Sequence, residues 1–126
     1  MDDLVQWLRA QLDEDERIAR AAGGTWWAPP DLPGEVYDSG GVNIDAKLKS
    51  FAAHIAEHDP ARVLREIDAK RRMLELHHSI ELPTEALDAC AECEVTGAYP
   101  EYPCRTLRLL ALPYSDRPGY REEWRP

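Results

Sequence analysis

The sequence is poor in cysteine, methionine and phenylalanine, with 3, 2 and 1 of these among its 126 residues. Three cysteines cannot all pair with one another, which argues against the disulfide framework of many small secreted proteins. No stretch approaches the roughly 18–20 apolar residues that a membrane-spanning helix needs. The N-terminus, Met1-Asp2-Asp3, lacks the basic and then apolar pattern of a signal peptide. We therefore expect a cytoplasmic protein that does not contact membranes.

Familiar catalytic signatures are also missing. There is no Gly-x-x-x-x-Gly-Lys phosphate loop, and no serine stands in the strand-to-helix context of a hydrolase nucleophile. Basic residues are outnumbered by acidic ones, 15 to 24, which gives a formal net charge of −9. Most of the excess lies in residues 1–60, and such a charge repels phosphates. The sequence therefore disfavours nucleic-acid binding and favours a non-enzyme, although it leaves enzymatic activity open.

The chain has the length of one domain, and its 44% apolar residues are enough for a core. We predict a single domain over residues 1–126 with an α-rich α+β fold. Three main helices and a small β-hairpin precede a C-terminal zinc knuckle that leads into a short helix. The predicted segments are a helix at 1–22, a hairpin at 25–44, two helices within 45–78, a Cys knuckle and helix at 83–112, and an extended tail at 113–126.

Apolar spacing and end signals define the helices. In the first helix, apolar residues recur every four positions, and Gly23-Gly24 ends it. The second is predicted from Asp45 to Glu57. The third runs from Pro60 to about His78, with Asp59 as its cap. The apolar positions that define the first and third helices are Leu4, Val5, Leu8, Leu12, Ile18, Ala22, Val63, Leu64, Ile67, Met73, Leu74 and Leu76. The side chains predicted to be buried on the second and last helices are Leu48, Phe51, Ala52, Ile55, Leu107, Leu110 and Ala111.

Short β-prone pieces at 25–27, 35–37 and 42–44 predict a hairpin of two or three strands, with a turn at 39–41. Such a hairpin cannot stand alone, so Trp26 and Trp27 are expected to pin it to the core. One of the two must face away if the segment is extended. The alternative is that the tryptophans stack on a base or another ligand.

Two charged runs have competing interpretations. The acidic run at 13–16 is interpreted as a solvated face that pairs with Arg17 and Arg20, or else as a docking surface for a basic partner. The basic side chains of the third helix are interpreted as an ion-paired surface, with pairs Glu66–Lys70 and Asp68–Arg72, rather than as a DNA-reading face. The basic residues concerned are Arg62, Arg65, Lys70, Arg71 and Arg72.

The three cysteines and one histidine predict a metal site. Cys90 and Cys93 form a Cys-x-x-Cys pair, whose thiolates can occupy adjacent corners of a zinc tetrahedron. Cys104 supplies a third corner at the start of the last helix, where a thiolate is stabilised. His77 supplies the fourth. It is preferred to His78 because it lies one turn after the apolar residues of the third helix. Four protein ligands would close the site and make the zinc structural.

Other uses of these cysteines remain open. Three unrelated, idle thiols are one alternative. A redox Cys-x-x-Cys is another, but that motif normally opens a helix in a βαβ unit, which the sequence does not predict here.

His54-Ile-Ala-Glu57-His58 matches the inverted zincin pattern His-x-x-Glu-His. The two imidazoles would share a helix face, and Glu57 could act as a base toward metal-bound water. A zincin helix continues through its motif, whereas this one is predicted to end at Asp59-Pro60. A metal-dependent hydrolase is therefore only a secondary hypothesis.

Three blocks of the chain resemble a family of small uncharacterised proteins from actinobacteria and their phages. They are residues 1–16, 54–74 and 103–126, and the last begins Pro-Cys-Arg-Thr-Leu-Arg-Leu-Leu-Ala-Leu and ends Arg-Glu-Glu-Trp-Arg-Pro. The resemblance implies a source class and supports the Cys knuckle as a shared feature. It implies no activity and no catalytic residues.

The sequence thus predicts a small zinc-stapled binding or adaptor protein with a protein partner. The family resemblance associates it with phages or mobile elements. The alternative, suggested by the net charge, is an acidic DNA mimic or a nucleic-acid-associated protein of phage–host conflict. The hydrolase at His54, Glu57 and His58 ranks below both. Oligomeric state is not predicted.

Overall fold

The computed structural model describes residues 3–81, 88–95 and 102–126. In these ranges the α-helices are α1 (Asp3–Ala22), α2 (Lys49–Glu57), α3 (Pro60–Leu76), α4 (Ala91–Val95) and α5 (Arg105–Ala111). Two antiparallel hairpins pair β1 (Glu35–Tyr37) with β2 (Asn43–Asp45) and β3 (Ser79–Glu81) with β4 (Asp88–Cys90). The predicted start of the Cys knuckle at residue 83 and the part of the knuckle at 96–101 lie outside the described residues. None of the described helices has the length and apolar character that crossing a membrane demands.

The chain groups into two compact units, one of residues 1–12 with 69–126 and one of residues 13–68. The first ten residues of α1 belong to one unit and the rest to the other, and α3 is divided in the same way. A single domain over residues 1–126 remains a prediction.

The buried stripe of α1 begins as predicted and then departs from the prediction. Leu4, Leu8 and Leu12 are fully buried, but Ile18 is exposed and Ala19 is buried in its place. Seven residues make nearly two helical turns, so the stripe that includes Leu12 passes through position 19 rather than 18. Ala22 is exposed as well. Gly23 ends the helix with a φ of 109°, which a residue without Cβ adopts readily.

In the unit of residues 13–68, the β1–β2 hairpin forms where the sequence predicts it. Val36 pairs with Ile44 across the strands, and Val36 is fully buried. The Asp38 carboxylate accepts hydrogen bonds from the backbone N–H groups of Gly40 and Val42, at 3.0 and 2.7 Å. This bonding fixes the turn between the strands.

The predicted helix restart at Asp59-Pro60 is also present. The Asp59 carboxylate accepts the backbone N–H of Arg62 at 2.9 Å, which caps α3. Its other oxygen accepts the backbone N–H of Trp26 at 3.0 Å. One buried carboxylate thus joins the start of α3 to the segment that precedes the hairpin.

The predicted start and buried stripe of α2 are wrong. The helix begins at Lys49 rather than Asp45, because pairing next to β2 continues through a bond from Ala46 N–H to Gly34 O of 2.8 Å. Lys47 then takes a φ of 69°, which is incompatible with a helix. Leu48 and Phe51 are exposed, and only Ala52 is fully buried on this helix.

The unit of residues 1–12 and 69–126 buries its own apolar set. That set comprises Leu4, Leu8, Leu12, Leu74, Ala89, Leu107, Ala111, Tyr114 and Trp124. Met73 and Leu76, two of the apolar positions of the third helix, are exposed. The buried face of α3 passes through Leu74, so the neighbouring positions 73 and 76 turn toward solvent.

The sequence predicts an extended tail, but the tail is not extended throughout. It contains 3-10 helices at Leu112–Tyr114 and Glu122–Trp124, which turn the chain so that Trp124 is buried. The ring of Trp7 lies 5.5 Å from that of Trp124 and 5.6 Å from that of Tyr120. The tail is therefore docked on α1 through Tyr120 and Trp124.

The described residues form five α-helices, where three main helices and one short helix were predicted, and the knuckle region is more regular than a loop. Cys90 ends a strand and Cys93 lies in a short helix, α4, so this stretch has regular backbone structure. The hairpin β3–β4 was not predicted. The third helix ends at Leu76, before His77 and His78.

Candidate metal centre

Four elements each present one potential ligand at a single point. His77 follows α3, with its N–H donated to Met73 O at 3.0 Å. Cys90 ends β4, Cys93 lies in α4, and Cys104 immediately precedes α5. The placement of Cys104 at the start of a helix agrees with the sequence prediction.

The β3–β4 hairpin explains how the histidine reaches the cysteine pair. Ser79 is paired with Cys90 in the strand register, and Ala91 N–H donates to His78 O at 2.9 Å. Backbone pairing therefore holds the residues just before β3 beside those at the end of β4. Cys93 follows Cys90 by three residues, about one helical turn, so its side chain returns toward the same point.

The distances from the imidazole nitrogen to the three sulfurs are close to those of a tetrahedral site. His77 Nδ1 lies 3.2 Å from Cys90 Sγ, 3.5 Å from Cys104 Sγ and 3.9 Å from Cys93 Sγ. All four ligand atoms lie within 4.8 Å of one another. Bond lengths of about 2.3 Å for Zn–S and 2.0–2.1 Å for Zn–N, at tetrahedral angles, require N···S separations of about 3.6 Å. The observed values bracket that separation.

Burial and mutual proximity disfavour ionisation of the Cys93 and Cys104 thiols. Cys90 and Cys104 are buried, while His77 and Cys93 are half-buried. Burial raises the pKa of the Cys104 thiol, and a hydrogen bond from the Leu107 backbone opposes that shift. Burial, followed by hydrogen bonding and charge at Cys90 and Cys104, raises the pKa of Cys93 to about 12. Three thiolates at one point need a cation among them.

His78, the alternative fourth ligand, does not face this cluster. Its Nδ1 lies 2.9 Å from Glu75 O, and the residue is exposed. His77 is the imidazole that lies among the sulfurs. The structure thus brings together the four residues that the sequence nominated.

The redox interpretation of Cys90 and Cys93 finds little support in the geometry. Cys90 has no exposed surface, and the raised pKa of the half-buried Cys93 disfavours the thiolate that would attack a substrate disulfide. The motif also follows an antiparallel hairpin rather than a βαβ unit.

His54, Glu57 and His58 do not form a second centre. The two imidazole rings are stacked with centroids 4.3 Å apart, and His58 Nδ1 lies 2.9 Å from His54 O. The Glu57 carboxylate lies 3.5 Å from the Arg62 guanidinium. Across the described ranges, the cluster at His77 is the only group of three or more ligand residues close enough to hold a metal ion. Since α2 ends at Glu57, the motif straddles a helix end, unlike that of a zincin.

The structure also contains a cavity that the sequence did not indicate. It has a volume of about 330 Å³ and lies in the unit of residues 13–68. Its walls are mainly apolar and include Ile18, Trp26 and Val63. The exposed side chain of Ile18 forms part of this wall, and the seven-residue spacing from Leu12 to Ala19, which leaves Ile18 off the buried stripe, is the signal in the sequence for that exposure.

Neither the curated proteins nor the solved structures contain a match to this chain. A family model does match it, over residues 1–126. The predicted membership of an uncharacterised family is thereby confirmed, while an actinobacterial or phage origin stays a prediction. The chain belongs to the family of unknown function DUF6221.

Proposed function

We propose that this chain is a zinc-stapled binding protein in which one structural Zn²⁺ is held by His77, Cys90, Cys93 and Cys104. The observation that carries the proposal is the clustering of the four ligand atoms within 4.8 Å of one another. Three sulfurs and one imidazole nitrogen form a donor set typical of structural zinc.

The choice of zinc follows from the donors and their number. Thiolates favour soft and borderline cations over Mg²⁺ or Ca²⁺, which prefer oxygen. Four protein ligands leave no open position for water or substrate, so the ion would stabilise structure rather than catalyse a reaction. The hydrogen bond from Ala91 N–H to His78 O also holds the adjacent ligands, His77 and Cys90, beside each other.

A staple is physically useful at this point in the chain. Strands β3 and β4 have three residues each, and α4 has five. Such short elements are not stable alone. An ion bound by ligands within or next to these elements would contribute binding free energy to their folding.

A closed metal site leaves the protein surface to carry the function, which supports a binding or adaptor role with a protein partner. Reduced thiols fit a cytoplasmic setting, where disulfides are rare. The acidic DNA-mimic alternative is weakened on α1, because Glu14 pairs with Arg17 at 2.6 Å and Glu16 with Arg20 at 3.3 Å. These arginines interrupt an array of negative charge. Association with phages or mobile elements remains part of the proposal.

Measuring the metal content of variants distinguishes the proposed ligands from neighbouring residues that do not bind the ion. The protein is purified without chelator, and metal per chain is measured by plasma mass spectrometry for the native chain, for His77→Ala and for His78→Ala. The native chain and His78→Ala are expected to hold about one zinc each, while His77→Ala loses most of it. The matched pair removes the same side chain from adjacent positions, so a general effect of losing an imidazole cannot explain the difference.

Cobalt provides a second readout that does not depend on natural loading. Co²⁺ added to the apoprotein is expected to give thiolate-to-metal charge-transfer bands and the absorption of a tetrahedral ion, and Cys93→Ser should weaken the former. Less than about half an equivalent of zinc in the native chain, together with no cobalt bands, would rule out the proposed centre.

A further inference from the structure

The outer face of the β1–β2 hairpin presents aromatic rings that the core does not use. Residues opposite one another in an antiparallel sheet share a face, which places Trp27, Tyr37 and Asn43 together. Trp27 is 56% exposed, and its ring centroid lies 6.2 Å from that of Tyr37. Val36, on the opposite face, is fully buried. The exposed tryptophan is therefore the expected result of strand alternation.

The backbone of the exposed tryptophan is held in a fixed position, and its ring lies beside that of Tyr37. Its backbone N–H and C=O both bond with Tyr37, each at 2.9 Å. The Tyr37 hydroxyl donates to the Glu35 carboxylate at 3.0 Å. A rigid aromatic surface loses little conformational entropy on binding, which is why such side chains are common at interfaces.

The same face carries unneutralised negative charge. Glu35 is directly opposite Asp45 in the strand register, and like charges in that position are unfavourable. Asp31 also lies near enough to raise the pKa of Tyr37, although the hydrogen bond to Glu35 is the largest cause of that shift. Among the residues that the structure describes, no lysine or arginine forms an ion pair with these three carboxylates.

We propose that this outer face, formed by Trp27, Glu35, Tyr37, Asn43 and Asp45, docks an arginine or lysine side chain of a protein partner. A guanidinium over an exposed indole gains a cation–π contact, and a cation near Glu35 and Asp45 relieves their repulsion. The inference names the partner class of the binding function proposed above and rests on that function. The zinc site can nevertheless be tested without it.

Charge decides between this partner and a nucleobase. A base can stack on an exposed tryptophan as well as a guanidinium can. It brings a phosphate with it, however, and the carboxylates of the outer face repel phosphates. A basic protein segment satisfies both the ring and the carboxylates.

The test uses the four indole N–H resonances of the ¹⁵N-labelled, full-length protein. A peptide of alternating arginine and glycine is titrated in, with a glutamate–glycine peptide and a thymidine oligonucleotide as comparison probes. Only the arginine peptide should move the Trp27 resonance saturably, while the resonances of Trp7, Trp26 and Trp124 serve as internal controls. The double variant Glu35→Gln/Asp45→Asn should weaken binding by about tenfold.

A charge-matched control is Asp116→Asn/Glu123→Gln, which removes two exposed carboxylates elsewhere and should change the affinity less than about twofold. Equal weakening in the two double variants would overturn the proposal, since binding would then follow net charge alone. An unmoved Trp27 resonance, or a response to the oligonucleotide instead, would also overturn it. Zinc content, measured on the same samples, shows whether the metal site fails separately.

Discussion

Both hairpins are antiparallel and have strands of three residues, but they depend on different kinds of stabilising contact. In β1–β2 a buried valine, a turn held by Asp38 and the pairing of Trp27 with Tyr37 all come from nearby residues. In β3–β4 the neighbouring support is a cluster of ligands that includes Cys104, 14 residues beyond the end of β4. A short hairpin needs an external partner, and here one hairpin uses packing while the other has a candidate metal site.

The comparison predicts that the hairpins respond to different perturbations. Packing and capping substitutions should destabilise β1–β2 and leave metal content unchanged. Loss of metal should affect β3–β4 first, because the ligands lie beside its strands.

Removal of zinc is expected to have the largest effect. Chelation should lower the free energy of opening β3–β4 by about 3–4 kcal/mol, the contribution of a ligand present at 100–1,000 times its dissociation constant. Amide hydrogen exchange at Ser79–Glu81 and at Asp88–Cys90 should accelerate, while exchange at Glu35–Tyr37 should change little. Equal acceleration in both hairpins, or in neither, would contradict the contrast between them.

Val36→Ala should destabilise the chain by about 2 kcal/mol, because it removes two buried methyl groups and leaves a cavity. Val42 belongs to the same hairpin region and is 62% exposed, so Val42→Ala is the matched control, expected to change stability by less than about 0.5 kcal/mol. Urea unfolding of both variants measures the difference. Similar losses at the two positions would show that Val36 is not part of the core.

Asp59→Ala should cost about 1–2 kcal/mol, because it removes the cap of α3 and the acceptor of the Trp26 N–H. Asp59→Asn keeps an oxygen acceptor and should lose less than half as much. The free energy of unfolding and the zinc content are measured together. Loss of zinc in Asp59→Ala would break the predicted independence of the two regions.

The smallest expected effect is a shift in the titration of Tyr37. Its hydrogen bond to Glu35 raises its pKa above the ordinary value, so that the bond stabilises the fold below the unfolded pKa and is lost as pH rises through the folded pKa. Glu35→Gln should bring the pKa of Tyr37 back toward about 10. Ring carbon resonances followed to alkaline pH measure it, and an unchanged pKa would mean that the bond does not form.

Local signals predicted local structure well. Asp59-Pro60 predicted both a cap and a first helical residue, and the turn residues at 39–41 lie between the strands of the first hairpin. These features depend on backbone chemistry within a few residues. The exposure of Leu48 and Phe51 depends instead on which neighbouring elements cover a face, and spacing alone does not contain that information.

The candidate site also combines features that local spacing predicts with features that depend on residues distant in the sequence. The Cys-x-x-Cys spacing marks Cys90 and Cys93 directly. The contribution of Cys104 and the choice between His77 and His78 required inference over long distances in the sequence, and the apolar face of α3 indicated His77. Hairpin β3–β4, which places that histidine beside Cys90, has strands of only three residues and leaves no periodic signal.

X-ray absorption at the zinc edge tests the central claim most directly, because it reports the ligands of the ion. We expect three sulfurs at about 2.3 Å and one nitrogen at about 2.0–2.1 Å. In His77→Ala the nitrogen shell should be replaced or the zinc lost. A first shell dominated by oxygen and nitrogen, or one with fewer than three sulfurs in the native chain, would contradict it.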